Sequence, residues 1–307
     1  MFNVSKDTLL RWCKDTYGTN FETIYKEKRQ MGKASLRRTQ WKLADKSVPM
    51  AIFLGKNMLG QSDNPLEEGK KEEEEKRPIF LPAVDMASHF VDINRDIDER
   101  RHREYMLEGG RGSIKSSFVS EKLIELLENN PKMCAVILRK VANTLKDSVY
   151  QQIEWALDKL SESYPDIKND YKLTKSPLEI TKKSTGQKIY FRGADDYGKI
   201  KSLRTPTNMY VGLIWYEEFD QFNGMLEIRK INQSLVRGGE DFVIFYTYNT
   251  PPSMQHFVNQ EKIIPKENRL VHLSDYRTVP KEWLGQPFID EAEYLKSVNE
   301  KLYENEY

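Results

Sequence analysis

The run Gly109-Gly-Arg-Gly-Ser-Ile-Lys-Ser-Ser117 concentrates the residue types that hold phosphate: glycines, a lysine and hydroxyls. Glycines let backbone N–H groups approach phosphate oxygens, and the start of a following helix adds partial positive charge. The pattern G-x-x-x-x-G-K-[ST] carries meaning only between a strand and a helix. Here the apolar Tyr105-Met106-Leu107 precedes it and a helix-forming segment over 118–127 follows. The candidate phosphate contacts are therefore Gly109, Gly110, Arg111, Gly112, Ser113, Ile114, Lys115, Ser116 and Ser117. Lys115 is placed to reach the β- and γ-phosphates of a nucleotide, and Ser116 to put its hydroxyl on Mg²⁺. Ile114 stands where the pattern's second glycine belongs. A β-branched residue resists positive φ, so the loop is expected to keep negative φ there or to bind nucleotide less well.

A second element is Val211-Gly-Leu-Ile-Trp-Tyr-Glu-Glu218, an apolar strand ending in two carboxylates. In nucleotide hydrolysis the first such acid, Glu217, holds the metal, and the second, Glu218, polarises the attacking water. A third, Phe242-Val-Ile-Phe-Tyr-Thr-Tyr-Asn249, delivers Thr247 and Asn249 to the edge of a sheet where ligands collect. Arg204 precedes the acidic strand by a short connection. From there it could reach a phosphate in its own subunit or in a neighbour.

These residues need a frame. Candidate strands are 105–107, 134–138, 178–181, 188–191, 210–215 and 242–248, with helices over 116–128, 142–162 and 225–236. Their alternation predicts a mainly parallel sheet covered by helices on both faces, with a hairpin at Lys183-Ser-Thr-Gly-Gln187. Upstream, 5–63 reads as helices with apolar faces at Leu9, Leu10, Trp12 and Cys13, at Phe21, Ile24 and Tyr25, and at Leu36, Trp41, Leu43 and Ala44. A nearly all-charged tract over 67–77 reads as a linker.

Lys+Arg (48) and Asp+Glu (47) nearly cancel, so any basic surface for nucleic acid must be local. Two cysteines, Cys13 and Cys134, cannot build a disulfide framework and read as buried thiols. His89, His102, His256 and His272 show no ligand spacing. Apolar runs reach about six residues, against the roughly 20 needed to span a bilayer, and no signal peptide is evident. The expectation is no membrane association.

From about Leu81 onward the chain resembles the ATPase part of the large terminase subunit of tailed phages, nearest the branch labelled PBSX-like. The stretches that carry the likeness are the loop itself, Leu138-Arg-Lys140 with Asn143-Thr-Leu-Lys-Asp-Ser148, Phe191-Arg-Gly-Ala-Asp-Asp196, Ile214-Trp-Tyr-Glu-Glu218 and Ile231-Asn-Gln-Ser-Leu-Val-Arg-Gly-Gly239. The resemblance implies an α/β fold with a RecA/ASCE-like P-loop NTPase core. It also implies ATP and Mg²⁺ as cofactors, double-stranded DNA as substrate, and a portal protein and small terminase subunit as partners. A homo-oligomer in the host bacterial cytoplasm is implied as well.

By the same likeness Lys115 and Ser116 are the phosphate and Mg²⁺ residues, and Arg111 the basic residue of the loop. Glu217 and Glu218 are the acidic pair, Asn249 lies in the coupling motif, and Arg204 is the arginine offered to an adjacent subunit. Residues 5–63 resemble small-terminase helix-turn-helix proteins, with Arg37, Arg38, Lys42, Lys46 and Lys56 as phosphate contacts. The expected division is 1–66 helical module, 67–78 linker, 79–260 ATPase domain and 261–307 extension. The extension includes one acidic, aromatic helix over 290–307, and no nuclease site is expected in this chain. Two alternatives stand beside the motor: another P-loop ATPase such as a helicase, and a non-hydrolysing packaging adaptor.

Overall fold

A computed structural model describes residues 6–19, 22–23, 28, 36, 38–58, 78–82, 85–239 and 241–307. The predicted linker over 67–77 lies outside the described residues, as do Phe21, Ile24, Tyr25 and Arg37 and the side chains of Leu9, Cys13 and Lys56. Two compact units emerge, Met1–Arg77 and Pro78–Tyr307. In the first, α1 (Lys6–Tyr17), a helical stretch over 38–44 and α2 (Val48–Met58) match the expected helical character. Their predicted faces are not covered: Leu10, Trp12, Leu36, Trp41 and Leu43 are exposed, while Leu54 is buried. Among the described residues, no helix is long and apolar enough to cross a membrane.

The second unit begins with α3 (Val91–Asp98), β1 (Glu104–Gly109), α4 (Lys115–Asn129), β2 (Met133–Arg139) and α5 (Val149–Leu160). A meander β3 (Tyr171–Lys175), β4 (Leu178–Lys182), β5 (Lys188–Gly193) follows, then α6 (Tyr197–Lys201), β6 (Tyr210–Glu217) and α7 (Met225–Leu235). The unit closes with β7 (Val243–Tyr248), α8 (Phe257–Lys262), β8 (Arg269–Ser274), α9 (Lys281–Leu284), α10 (Gln286–Val298) and α11 (Glu300–Glu306).

The eight strands lie in the order β3-β4-β5-β2-β6-β7-β1-β8. Every pairing from β5 to β8 is parallel, and β3-β4-β5 are antiparallel. β7 thus stands between the strand that enters the glycine loop and the strand that ends in two acids.

Successive strand residues point to opposite faces, so each central strand feeds two cores. Leu213 and Trp215 join α4 and α5 on one face, through Leu123, Ile153 and Leu157. Ile214 and Tyr216 join α6, α7 and α8 on the other, through Ile200, Ile228 and Val258. Strands buried on both faces read as the continuous apolar runs seen in Met133–Arg139 and Tyr210–Glu217.

Several expectations need correction. The helix predicted over 142–162 starts at Val149, after a separate turn at Ala142–Thr144. Thr144 and Ser148 hydroxyls donate to the Val141 and Thr144 carbonyls (2.9 and 2.7 Å), competing with the helical ladder. Two strands were not anticipated, β3 and β8. The latter pairs with β1, so the sheet continues past residue 260. The single C-terminal helix is two, broken at Asn299, whose side chain accepts from the Leu302 N–H at 3.1 Å.

Candidate active site

The glycine loop joins β1 to α4 at the C-terminal edge of the sheet. A Cβ on Gly109 would meet the Ser274 carbonyl of β8 at 2.4 Å, so only glycine fits that strand end. Gly112 takes φ +73°, and Ile114 takes φ 51°, ψ 24°. Of the two expectations for Ile114, negative φ is therefore wrong, and weaker nucleotide binding is the one left. Its half-buried side chain packs against the core beneath α4, which offsets left-handed strain of roughly 1–2 kcal/mol.

Lys115, the first residue of α4, is 8% exposed. Its ammonium donates to the Gly109 carbonyl (2.6 Å), the Ser113 hydroxyl (2.8 Å), the Gly110 carbonyl (3.0 Å) and the Asn249 side-chain oxygen (3.4 Å). Burial pulls its pKa down to about 8, against Asp220, Glu217 and Glu108, which hold the proton on. Ser116 and Ser117 follow in the first turn, both half-buried.

Glu217 ends β6 and Glu218 leaves it in a left-handed conformation, φ 53°, ψ 51°. Arg139, at the end of the adjacent β2, pairs with both. Its Nε lies 2.6 Å from Glu217, and its terminal nitrogen contacts Glu218. Burial pushes the Glu217 carboxyl up to about 7; Arg139 opposes this, and Glu218 and Asp220 add to it. Glu217 Oε2, the oxygen that Arg139 Nε contacts, is buried. Asn249 sits just beyond β7. Within the sheet, the Trp215 indole of β6 donates to the Thr247 hydroxyl of β7 at 2.9 Å, tying the two strands together.

The fold thus brings Lys115, Ser116, Glu217, Glu218 and Asn249 to one edge. Arg204 is not among them. It is exposed and borders a groove with Tyr210 and Val211, which begin β6, and with Ser234 and Leu235, which end α7. That groove lies at the start of the eight-residue β6, whose far end carries Glu217.

Arg111 is engaged elsewhere: its N–H donates to the Glu306 carbonyl and its guanidinium pairs with the Glu306 carboxylate, both at 2.8 Å. Phe288 packs on Gly112, so α10 and α11 lie over the loop.

Arg139 and Asp220 were missed as site residues. Each carried a signal, a basic residue closing an apolar strand and an acid two positions beyond Glu218. His89 and His272 also come together, with ring centres 5.8 Å apart, despite their sequence separation.

A cavity of about 330 Å³ opens beside the loop, bordered by Ile114, Ser117, Phe90, Trp155 and Trp283 with Glu121 on its wall. Among the described residues, no group of three or more His, Cys, Asp or Glu is arranged to hold a metal ion.

A parallel sheet whose first strand enters a glycine loop closed by Lys-Ser, with an acid-tipped strand two places away, defines the P-loop NTPase class. The family model for the phage terminase large subunit matches residues 101–307. The chain belongs to that family. It is 35% identical over 226 residues to the large terminase subunit of Bacillus phage SPP1, covering 71% of this chain and 51% of that relative.

Its fold is similar to the large terminase ATPase domain of Thermus phage P74-26, at 12% identity and TM-score 0.50, covering 71% of this chain and 91% of that one. The large terminase of a thermophilic bacteriophage, solved in complex with ADP, is similar at 11% identity and TM-score 0.50, covering 72% of this chain and 50% of that one. The chain spans about half the length of the SPP1 relative.

Proposed function

We propose that this chain carries the ATP-hydrolysing motor of a DNA-packaging terminase, drawing double-stranded DNA into a procapsid. The observation that carries the reading is the convergence of Lys115, the Glu217–Glu218 pair and Asn249 on one sheet edge beside the loop. Family membership supports the packaging role, and the ADP held by the thermophilic-phage terminase supports an adenine nucleotide.

In this reading the loop N–H groups and the Lys115 ammonium hold the β- and γ-phosphates, which replace the loop carbonyls as partners of the lysine. The donor set fits Mg²⁺. The Ser116 hydroxyl stands beside Lys115, and burial holds the Glu217 carboxyl up at about 7 despite its Arg139 partner, a group that a divalent cation would favour in its charged form. Mg²⁺, when bound by Ser116 and Glu217, supplies charge neutralisation across the phosphates. Glu218 orients and polarises the attacking water, and Arg139 fixes both carboxylates. Because Asn249 shares Lys115 with the phosphate site, loss of the terminal phosphate changes its bonding and is passed into the segment after β7. The DNA, the portal and small-subunit partners, and an oligomeric assembly enter through the family.

The test is ATPase rate with and without duplex DNA for the wild type and Glu218→Gln. The expected result is a DNA-stimulated rate that falls roughly 10²- to 10⁴-fold in the variant. Equal background rates in both proteins would reject hydrolysis and leave the adaptor reading.

A further inference from the structure

The cavity beside the loop contains a carboxyl that the motor chemistry does not use. Glu121 lies on α4 one turn past Ser117, so the two side chains share a helix face. It is 5% exposed and lines the cavity between the phosphate end at Ser117 and the aromatic walls of Phe90, Trp155 and Trp283. Among the described residues no group hydrogen-bonds to its carboxyl. The nearest cation, Lys159, is held by Asp85 at 2.9 Å and by Glu162 at 2.7 Å.

A buried acid without a partner costs stability, so packing alone gives no reason for a carboxyl here. Its position relative to the loop does give one: this cavity opens at Ser117, next to Lys115 and Ser116, where a nucleotide held by its phosphates would have room for its nucleoside. A cavity of about 330 Å³ is of the size that takes such a group.

We propose that Glu121 reads the Watson–Crick edge of the adenine of bound ATP, donating to the ring nitrogen and accepting from the exocyclic amine. The inference rests on the nucleotide-binding reading above and adds a specificity residue to it. Burial pushes the Glu121 carboxyl up to about 8, with Asp85 and Glu162 reinforcing and Lys159 opposing. At neutral pH it is therefore a neutral acid offering one donor and one acceptor, which matches the acceptor and donor on the adenine edge. Once ionised it offers acceptors only and faces the lone pair of the ring nitrogen. Base recognition then fails as pH rises through the Glu121 pKa. The charged groups that face Glu121 are Asp85, ahead of α3, and Lys159 and Glu162, at and just past the end of α5; Lys115 lies at the phosphate end.

The experiment compares the affinity of the 307-residue chain for Mg²⁺–ATP with its affinity for inorganic tripolyphosphate between pH 6.5 and 9. The ratio cancels titration of Lys115, which both ligands share, and its comparison with Glu121→Gln removes the titration of the ligands themselves. The wild-type ratio is expected to fall about tenfold between pH 7 and 9. In Glu121→Gln, which keeps a donor and an acceptor but does not titrate, the ratio should stay flat. Glu121→Ala should lower it roughly tenfold at pH 7, as loss of a buried hydrogen bond does. Thermal unfolding midpoints at or above the wild-type value will show that both variants fold. A wild-type ratio independent of pH, or an alanine variant that keeps the wild-type ratio, overturns the proposal. Binding of neither ligand would reject the nucleotide reading and the proposal with it, whereas tight, pH-independent ATP binding would reject the proposal alone.

Discussion

The two edges of the parallel sheet are built on opposite electrostatic plans. At the edge where β1, β7 and β8 begin, charges are matched: Asp241 binds Arg100 at 2.9 Å and also contacts Arg103, and Arg269 lies 3.3 Å from Glu104 and 2.7 Å from Glu261. At the edge where β1 and β6 end, burial works against the charged forms of the groups it holds. Lys115 is held down to about 8 and Glu217 is held up to about 7, while left-handed residues occur at both edges, Ile114 and Glu218 here and Arg100 and Asn208 near the other. The first edge spends its charges on holding strands together. The second keeps charged groups that burial disfavours even with their partners in place, which is the expected mark of a site built for a ligand.

Arg204 tests the comparison most severely, because it is an exposed arginine on the wrong edge for its own loop. We propose that it serves a neighbouring subunit. Arg204→Ala should then leave the nucleotide affinity of the isolated chain within about twofold of wild type. The assembled, DNA-stimulated rate should fall by roughly 10³-fold, the lower end of what such arginines contribute. Mixing Arg204→Ala with Lys115→Ala should restore activity, since each protein supplies what the other lacks. No recovery at any ratio would assign Arg204 to the structural edge.

A smaller effect is expected at Arg139, the cation that restrains the two acids. It lowers the Glu217 pKa, so its removal must raise that pKa further above about 7. Glu217 would then be largely protonated at neutral pH, and the rate at pH 7 should drop roughly 10- to 100-fold, about 1.4 kcal/mol per tenfold. The acid limb of the kcat/KM profile should move to higher pH in Arg139→Ala and move less in Arg139→Lys, which keeps the charge. A limb that stays in place in Arg139→Ala would show that Arg139 is only a brace.

How far the sequence anticipated this arrangement depends on how each part is encoded. The loop is contiguous, so its glycines, Lys115 and Ser116 were legible, as were the two acids closing an apolar strand. Arg139 was not, because its role depends on the β2–β6 register that sets Leu138 beside Tyr216. For Arg204 the sequence left its own subunit and a neighbour both open, because nearness along the chain does not report that β6 runs between it and Glu217. β8 was missed because its side chains alternate between exposed and half-buried at a sheet edge, which leaves no continuous apolar run. The partners of β1 on either side come from far along the chain, and local pattern does not report them.

The smallest expected effect concerns Ile114, where the comparison between edges becomes a question of backbone alone. At an ordinary helix position glycine is about 1 kcal/mol less stable than alanine. Ile114 holds φ 51° at the start of α4, where a Cβ meets the following carbonyl and glycine has none. Both Ile114→Ala and Ile114→Gly discard the same packing against the core, so the difference between them reports the left-handed strain. The order should therefore reverse, with the glycine variant more stable than the alanine variant by about 1 kcal/mol, or roughly 2–4 °C in unfolding midpoint for a unit of this size. An alanine variant that melts higher than the glycine variant would mean that the loop relaxes to negative φ in solution. The contrast between the edges would then rest on the buried charges of Lys115 and Glu217 and not on the backbone.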